Sequence, residues 1–272
     1  MLARIILFTI TFIALEKALN YCRMKDNFSA RSADYARFRP RYPEALFDIL
    51  LSKVEGRSSL WDVGTGNGQI LTHLAKHFDQ VLATDISDSQ LKNAFPFENV
   101  KYRKMAAEDD FDPNLQFDVI TVAQAIHWFK FDAFYANVKA HLRPGGVLAV
   151  LGYGLPSVNP EVDALVQVFY NTDLGPYWDP ERVYVDENYS TIPFPFKEIE
   201  TPPFRFQTAW SREMMIGYLS TWSALQHYNR QHDHDLLGEL NMALAAVWPE
   251  EELKEVVFPV LFRLGEMESK AD

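Results

Sequence analysis

The chain reads as one α/β domain, a largely parallel sheet with helices on both faces and a long irregular insert late in the chain. Three observations predict this. Short apolar runs alternate with helix-like stretches between residues 60 and 151, the order that parallel sheets require because each crossover must return the chain to the same direction. The first run, Leu60-Trp61-Asp62-Val63, opens onto three alternating glycines, Gly64, Gly66 and Gly68. The second, Val81-Leu82-Ala83-Thr84, ends on an acid, Asp85, about twenty residues beyond the turn. The length of 272 residues suits such a domain with elaborations and can bury a substantial core.

The elements follow in order. The glycine loop feeds a helix-like stretch to Phe78. A loop this rich in glycine turns sharply and admits a ligand close to the backbone, because no Cβ stands in the way. Residues 100–105 form a third strand, followed by Ala106-Ala107-Glu108-Asp109. Phe117-Asp118-Val119-Ile120-Thr121-Val122-Ala123 has the near-continuous apolar character of a buried parallel strand. It runs into Gln124-Ala125-Ile126-His127-Trp128-Phe129. A helix over 132–142 precedes a turn at Arg143-Pro144-Gly145-Gly146 and a fifth strand, Val147-Leu148-Ala149-Val150-Leu151.

Residues 153–203 are rich in proline, glycine and aromatics, notably Tyr177-Trp178-Asp179-Pro180, with a helix expected over 161–170. A stretch of that length between elements is expected to be a lid or substrate loop. Phe204-Arg205-Phe206-Gln207-Thr208 alternates as a strand, Ser211 is placed to cap a helix over 212–228, a second helix fits 235–247, and 256–264 is the last strand. No internal repeat or low-complexity tract is present.

Composition narrows the function. A formal net charge of -11 argues against nucleic acid, whose phosphates must be neutralised by Lys and Arg. The single cysteine, Cys22, provides no internal disulfide framework. The histidines are scattered; His232 and His234 flank Asp233 in a polar stretch that reads as a solvated loop, and no metal is assigned. Residues 5–15 are apolar but too short to span a bilayer comfortably, and no small-x-small cleavage site follows them. Residues 1–23 therefore read as an apolar extension ahead of a domain over 24–272. A cytoplasmic setting is expected, with membrane association through 5–15 as the alternative.

The loop's chemistry selects its ligand. An acid at the end of the second strand is where nucleotide-binding βαβ units meet an adenosine ribose, so an adenosine-bearing cofactor is expected, with Asp85 accepting from the ribose hydroxyls. The dinucleotide fingerprint is Gly-x-Gly-x-x-Gly. Here the glycines alternate strictly, and Asp62 precedes the first by two positions. A carboxylate there would repel a pyrophosphate and suits a ligand carrying an ammonium and a sulfonium; the alternative is that Asp62 merely caps the turn.

The Asp-x-Gly-x-Gly-x-Gly form resembles the first motif of the class I S-adenosylmethionine-dependent methyltransferases. Leu142-Arg143-Pro144-Gly145-Gly146 before an apolar strand is also typical of that superfamily. The resemblance implies a Rossmann-like seven-stranded sheet with its last strand antiparallel, a lid insert after the fifth strand, and S-adenosyl-L-methionine as cofactor. Gly64 and Gly66 would let the backbone pass the methionine portion, with Gly68 completing the loop and Asp62 acting through the turn. Ala107 and Glu108, or Asp109, fall where the superfamily places a small residue and an acid near the adenine, although the acid usual two positions before the Glu is Ala106 here; the alternative is a solvated acidic loop. Gln124 completes the cofactor set from the end of the fourth strand. The Asn/Asp-Pro-Pro-aromatic run of enzymes that methylate base amines is not matched by Gln124-Ala125-Ile126-His127.

Two segments narrow the resemblance. Tyr35-Ala36-Arg37-Phe38-Arg39-Pro40-Arg41-Tyr42-Pro43 and Gln124-Ala125-Ile126-His127-Trp128-Phe129 look like the small-molecule group that includes trans-aconitate methyltransferase-like enzymes. Ser220, Trp222 and Ser223 are also similar to that group. The match runs from about residue 24 to the carboxyl end and is best up to Gly152. It implies a small-molecule acceptor, often a carboxylate that becomes a methyl ester.

Such a transfer asks the protein to align donor and acceptor and to exclude water. A carboxylate is already ionised at neutral pH, whereas an alcohol needs a base contributing ~10²–10⁴-fold. His127, at the carboxyl end of the fourth strand, is the candidate for acceptor contact or base; its alternative is a packed histidine beside Trp128. Arg39 can fork onto the cofactor carboxylate or an acidic acceptor. Trp128, Tyr177 and Trp178 are candidate acceptor-pocket residues, the last two with lid packing as their alternative, and Trp210, Trp222 and Trp248 are assigned to packing. Competing readings are a cofactor-binding module without catalysis, a protein methyltransferase, and a nicotinamide-dependent oxidoreductase, the last opposed by Asp62 and the glycine spacing.

Overall fold

Residues 37–267 are described by a computed structural model. The expected extension 1–23, its apolar stretch 5–15, Cys22 and the Tyr35-Ala36 start of the arginine motif lie outside the described residues. The first half alternates as expected: α1 (Glu44–Ser52), β1 (Ser59–Val63), α2 (Leu71–Leu74), β2 (Gln80–Asp85), α3 (Asp88–Lys92), β3 (Val100–Lys104), β4 (Phe117–Ala123), α4 (Phe131–His141) and β5 (Leu142–Tyr153). The second half contains α5 (Pro160–Val168), α6 (Arg182–Asp186), β6 (Lys197–Ile199), β7 (Phe204–Trp210), α7 (Arg212–Ser220), α8 (Ser223–Asn229), α9 (Leu236–Ala245) and β8 (Lys254–Glu266).

The sheet runs β3-β2-β1-β4-β5-β8-β6, with β7 also paired to β8. Strands β1 to β5 are parallel and β8 is antiparallel to β5, from Val147↔Glu266 to Tyr153↔Val260. The sheet therefore has eight strands rather than seven, and the reason is local. β6 and β7 both pair with the same side of β8, one against Leu264–Glu266 and the other against Lys254–Val260. Between them stand Pro202 and Pro203, which have no N–H to give a ladder and split one edge strand into two.

Strand periodicity sorts side chains to the two faces. Along β5, Val147, Ala149, Leu151 and Tyr153 enter one buried cluster while Leu148 and Val150 enter the other. In β4 all seven residues but Ala123 are buried, as a central parallel strand covered on both faces requires. The turn expected at 143–146 is absorbed into β5. Between the pairs Phe117↔Leu142 and Val119↔Val147 the register shifts, and Gly145 supplies the left-handed φ of +75° that the irregularity needs.

Two features of the second half shape the site. α5 is capped by Asn159, whose side chain accepts from Val162 N, and it continues as a π-turn over Phe169–Asp173. The helix expected over 212–228 starts on its Ser211 cap but breaks into α7 and α8. Thr221 turns its hydroxyl to Tyr218 O at 2.6 Å, a local bond that competes with helix continuation. Trp222 leaves the helix in an extended conformation and buries its ring against Phe169, Tyr170 and Trp178. Among the described residues no helix is long and apolar enough to cross a membrane.

Candidate active site

The chain passes from β1 through β2 to β3 on one side and then returns to β4 on the other side of β1. At such a reversal the loops leaving the carboxyl ends of the strands part and open a crevice. Here Gly64 follows β1, Asp85 ends β2 and Gln124 follows β4. The resulting cleft is lined by Gly64, Gly66, Asp85, Ala107, Glu108, Gln124 and Trp128 among others, at the switch point where open α/β sheets take small ligands.

Its loop is shaped by conformation rather than by side chains. Gly64 and Gly66 take φ of +67° and +57°, where a Cβ is strained, and a Cβ on Gly64 would stand 2.6 Å from the Cβ of Ala125. Asp85 fixes the loop from the neighbouring strand. Its Oδ2 accepts from Gly66 N and its Oδ1 from Ser87 N, each at 2.8 Å. Gln124 sits in the left-handed region at φ 53°, with its amide on Leu151 O and its side chain on Tyr153 O. A non-glycine residue held there marks a place where the surroundings over-determine the backbone.

Asp62 lies behind this wall. It is 1% exposed, and its carboxylate accepts from the hydroxyls of Thr65 at 2.6 Å and Thr121 at 2.7 Å. Burial pushes its carboxyl up from 3.8 to about 6, with the charge of Asp85 adding in the same direction and the two threonine bonds opposing. Asp62 does not line the cleft; it acts on the loop through Thr65, as its place in a buried strand predicts. Gly68 is likewise off the cleft, packed where a Cβ would meet the Tyr102 hydroxyl at 2.6 Å.

A second cavity adjoins the first through the shared Gln124 and Trp128. Its other lining residues include Arg39, His127, Trp178, Asp179, Arg182 and Trp222. Arg39 lines this cavity and not the first, on the side where an acidic acceptor, the second of its two expected partners, would sit. Its guanidinium donates to Tyr153 Oη at 3.1 Å and Thr221 O at 3.4 Å. His127 is buried in a short 3₁₀ turn, with Nδ1 3.2 Å from Tyr189 Oη. Burial pulls its imidazolium down from 6.5 to about 3, and the positive charges of Arg182 and Arg39 add to the effect. Arg182 donates through Nε to Tyr170 Oη and Asp186 Oδ1, its guanidinium over the Trp178 ring.

Trp128 and Trp178 line the second cavity, Trp178 also packing on Tyr170 and Trp222. Tyr177 does not: it lines neither cavity, and its hydroxyl bonds His232 Nε2 at 2.7 Å. Glu108 is at the cleft, but its Oε1 already accepts from Lys130 N at 2.7 Å. Trp222, assigned to packing, both packs and faces the second cavity. Sequence reading missed Ser87, Gln90, Met105 and Phe129 in the first cavity and Asp179, Arg182 and Ser223 in the second. The first group neighbours the motifs and was open to inspection there; Asp179 and Ser223 stand in segments already singled out, and Arg182 carries no local signal.

Comparison with known proteins agrees with this geometry. The methyltransferase-domain family matches residues 61–150, which span β1 to β5. A Dictyostelium discoideum protein named as a methyltransferase is 35% identical over 254 residues, covering 90% of this chain and 97% of its own. A Saccharomyces cerevisiae protein named as an S-adenosylmethionine-dependent methyltransferase is 29% identical over 154 residues, 53% of this chain and 52% of its own. A solved structure from Anaeromyxobacter dehalogenans, named as a Type II methyltransferase, matches with a TM-score of 0.77 at 41% identity, over 85% of this chain and 99% of that one. An alternating glycine loop, an acid closing the second strand and a cleft at the reversal of strand order thus sit in a chain that belongs to the class I S-adenosylmethionine-dependent methyltransferases.

Proposed function

We propose that the chain methylates a carboxylate oxygen of a small molecule, with the cofactor in the cleft between β1 and β4 and the acceptor in the adjoining cavity. The first cavity fits the cofactor. Its glycine loop has no Cβ to fill the approach, Met105, Ala107 and Phe129 offer apolar surface for a purine, and Asp85 brings a carboxylate acceptor to the cleft wall. Asp85 would hold the ribose, Gly64 and Gly66 the methionine portion, and Ala107, Glu108 and Gln124 the remaining edge. Bound there, the cofactor supplies a methyl group already activated on its sulfonium.

One observation carries the choice of acceptor: His127 is held neutral beside Arg39 and Arg182. A histidine whose conjugate acid ionises near 3 is a poor base for an alcohol, because uptake of the proton would be strongly uphill. It remains a good neutral hydrogen-bond partner. A carboxylate needs no base, and Arg39 and Arg182 can each donate to one from the cavity wall, which they share with the Asp179 carboxylate, Arg182 also meeting Asp186. His127 and Trp128 then orient the acceptor, and the segment 153–203, which supplies Trp178 and Arg182, keeps water from the reacting atoms. The acidic chain supports a partner other than nucleic acid. A cytoplasmic setting goes with this proposal, supported by the single cysteine.

The test is turnover with labelled cofactor against panels of small carboxylic acids, alcohols, amines and peptides, with products identified by mass spectrometry. Methyl esters of small acids are expected. Turnover confined to alcohols, amines or peptides, or binding of S-adenosylhomocysteine with no turnover on any panel, would overturn the proposal.

A further inference from the structure

One buried charge in the second cavity is not used by the reading above. Asp179 lies in the insert and is 4% exposed, and neither carboxylate oxygen has a hydrogen-bond partner. The nearest basic side chain is His227, whose Nε2 stands 3.8 Å from Oδ2, beyond hydrogen-bond reach, and itself has no hydrogen-bond partner. The Trp222 indole N–H on the same cavity wall is also buried without an acceptor. Buried carboxylates are ordinarily met by two or more donors, because leaving them unmet forfeits the hydration they had in water. Asp179 sits instead at the edge of an open volume, in a cavity whose other charges, Arg39 and Arg182, are positive.

We infer that Asp179 is a recognition site for a hydrogen-bond donor on the acceptor molecule, an ammonium or a hydroxyl carried in addition to the carboxylate that receives the methyl group. The inference rests on the carboxylate reading for the second of these groups and on Asp179 for the first. The acceptor class is then the hydroxy- or amino-carboxylic acids. The arginines attract its acid end, and Asp179 accepts from its donor. A plain carboxylic acid of the same size enters the cavity but leaves Asp179 buried and unmet, which a site built around a donor penalises.

The test uses calorimetry on the full chain saturated with S-adenosylhomocysteine, for wild type, Asp179→Asn and Asp179→Leu. Two matched series serve as probes, propionate with lactate and alanine, and succinate with malate and aspartate. Isopropanol and isopropylamine supply the donors without the acid. In at least one series the donor-bearing acid is expected to bind wild type about tenfold or more tightly than its parent. That preference should vanish in Asp179→Leu, while Asp179→Asn keeps it for the hydroxyl and loses it for the ammonium. Both variants should bind S-adenosylhomocysteine as wild type does and melt at or above the wild-type temperature, since an unmet buried charge is removed.

A preference that is the same in all three proteins overturns the inference, as does an absence of any Asp179-dependent probe. Variants that melt well below wild type would make Asp179 a structural anchor for His227 and overturn it equally. Asp179-dependent binding of isopropanol or isopropylamine with no binding of any acid would sink the carboxylate reading and leave the Asp179 site standing.

Discussion

Two buried titratable groups at this site are displaced in opposite directions, and the stability of the chain should register both. Asp62 moves from 3.8 to about 6, chiefly through burial, and His127 from 6.5 to about 3, also chiefly through burial. Between 3.8 and about 6 the folded chain holds a proton on Asp62 that the unfolded chain releases. That share of the stability is complete below 3.8 and is lost as pH rises through 6. His127 has the opposite sign. Its share is complete above 6.5 and is lost as pH falls towards 3, because the unfolded chain takes up a proton that the folded chain refuses.

A whole proton of difference changes unfolding free energy by about 1.4 kcal/mol per pH unit. Near pH 5.5 each group then contributes about 1 kcal/mol per pH unit, Asp62 lowering and His127 raising the stability as pH rises, so the two nearly cancel. Urea unfolding at about pH 5 and pH 6 would reveal them separately, since the background of other groups is common to all variants. Relative to wild type, Asp62→Asn should make stability rise with pH more steeply by about 1 kcal/mol per unit, and His127→Gln should tilt it the other way by a similar amount. Slopes that stay parallel to wild type within roughly 0.3 kcal/mol per unit would refute the assignment of buried, displaced titrations to these residues.

Further outcomes follow from the same geometry. Asp85→Ala should weaken S-adenosylhomocysteine binding by about an order of magnitude or more, since a charged acceptor of at least one hydrogen bond is lost; calorimetry with a parallel melting curve separates this from loosening of the Gly66 and Ser87 contacts. Gly64→Ala should destabilise the chain by about 1–3 kcal/mol and abolish cofactor binding, because a left-handed φ is combined with a 2.6 Å approach to Ala125. Adding Ala125→Gly would relieve the contact but not the backbone, so only partial recovery is expected by denaturant titration. His127→Ala should raise KM for a carboxylic acceptor and leave the kcat profile unchanged in shape between about pH 6 and 8, since His127 stays neutral across that range; disappearance of a titration near neutrality in the variant would contradict this.

Local chemistry was legible wherever one short segment does the work. The glycine loop, the acid closing β2 and the all-apolar β4 report backbone conformation and burial, which act over a few residues, and the antiparallel last strand followed from resemblance. The split of the edge strand was also written locally, in Pro202 and Pro203, although only the pairing of both halves with β8 shows that they are one strand. By contrast, the break between α7 and α8 depends on an aromatic cluster drawn from residues 169–178, far from Trp222 in sequence.

Tyr177 and Trp178 show the limit most clearly. They are adjacent and chemically alike, yet Trp178 faces the second cavity and Tyr177 turns to His232. Neither periodicity nor composition distinguishes them, because Tyr177 closes a single 3₁₀ turn and Trp178 follows it in extended backbone. The sequence by itself determined the fold class, the cofactor and the conformation of the glycine loop, since these rest on conformational demands that particular residues meet in place. Only the tertiary structure decided that Arg39, His127, Asp179 and Arg182 share one cavity. Their meeting is set by how the insert and α8 pack across the ends of the strands, and packing between distant segments leaves no spacing in the chain to read.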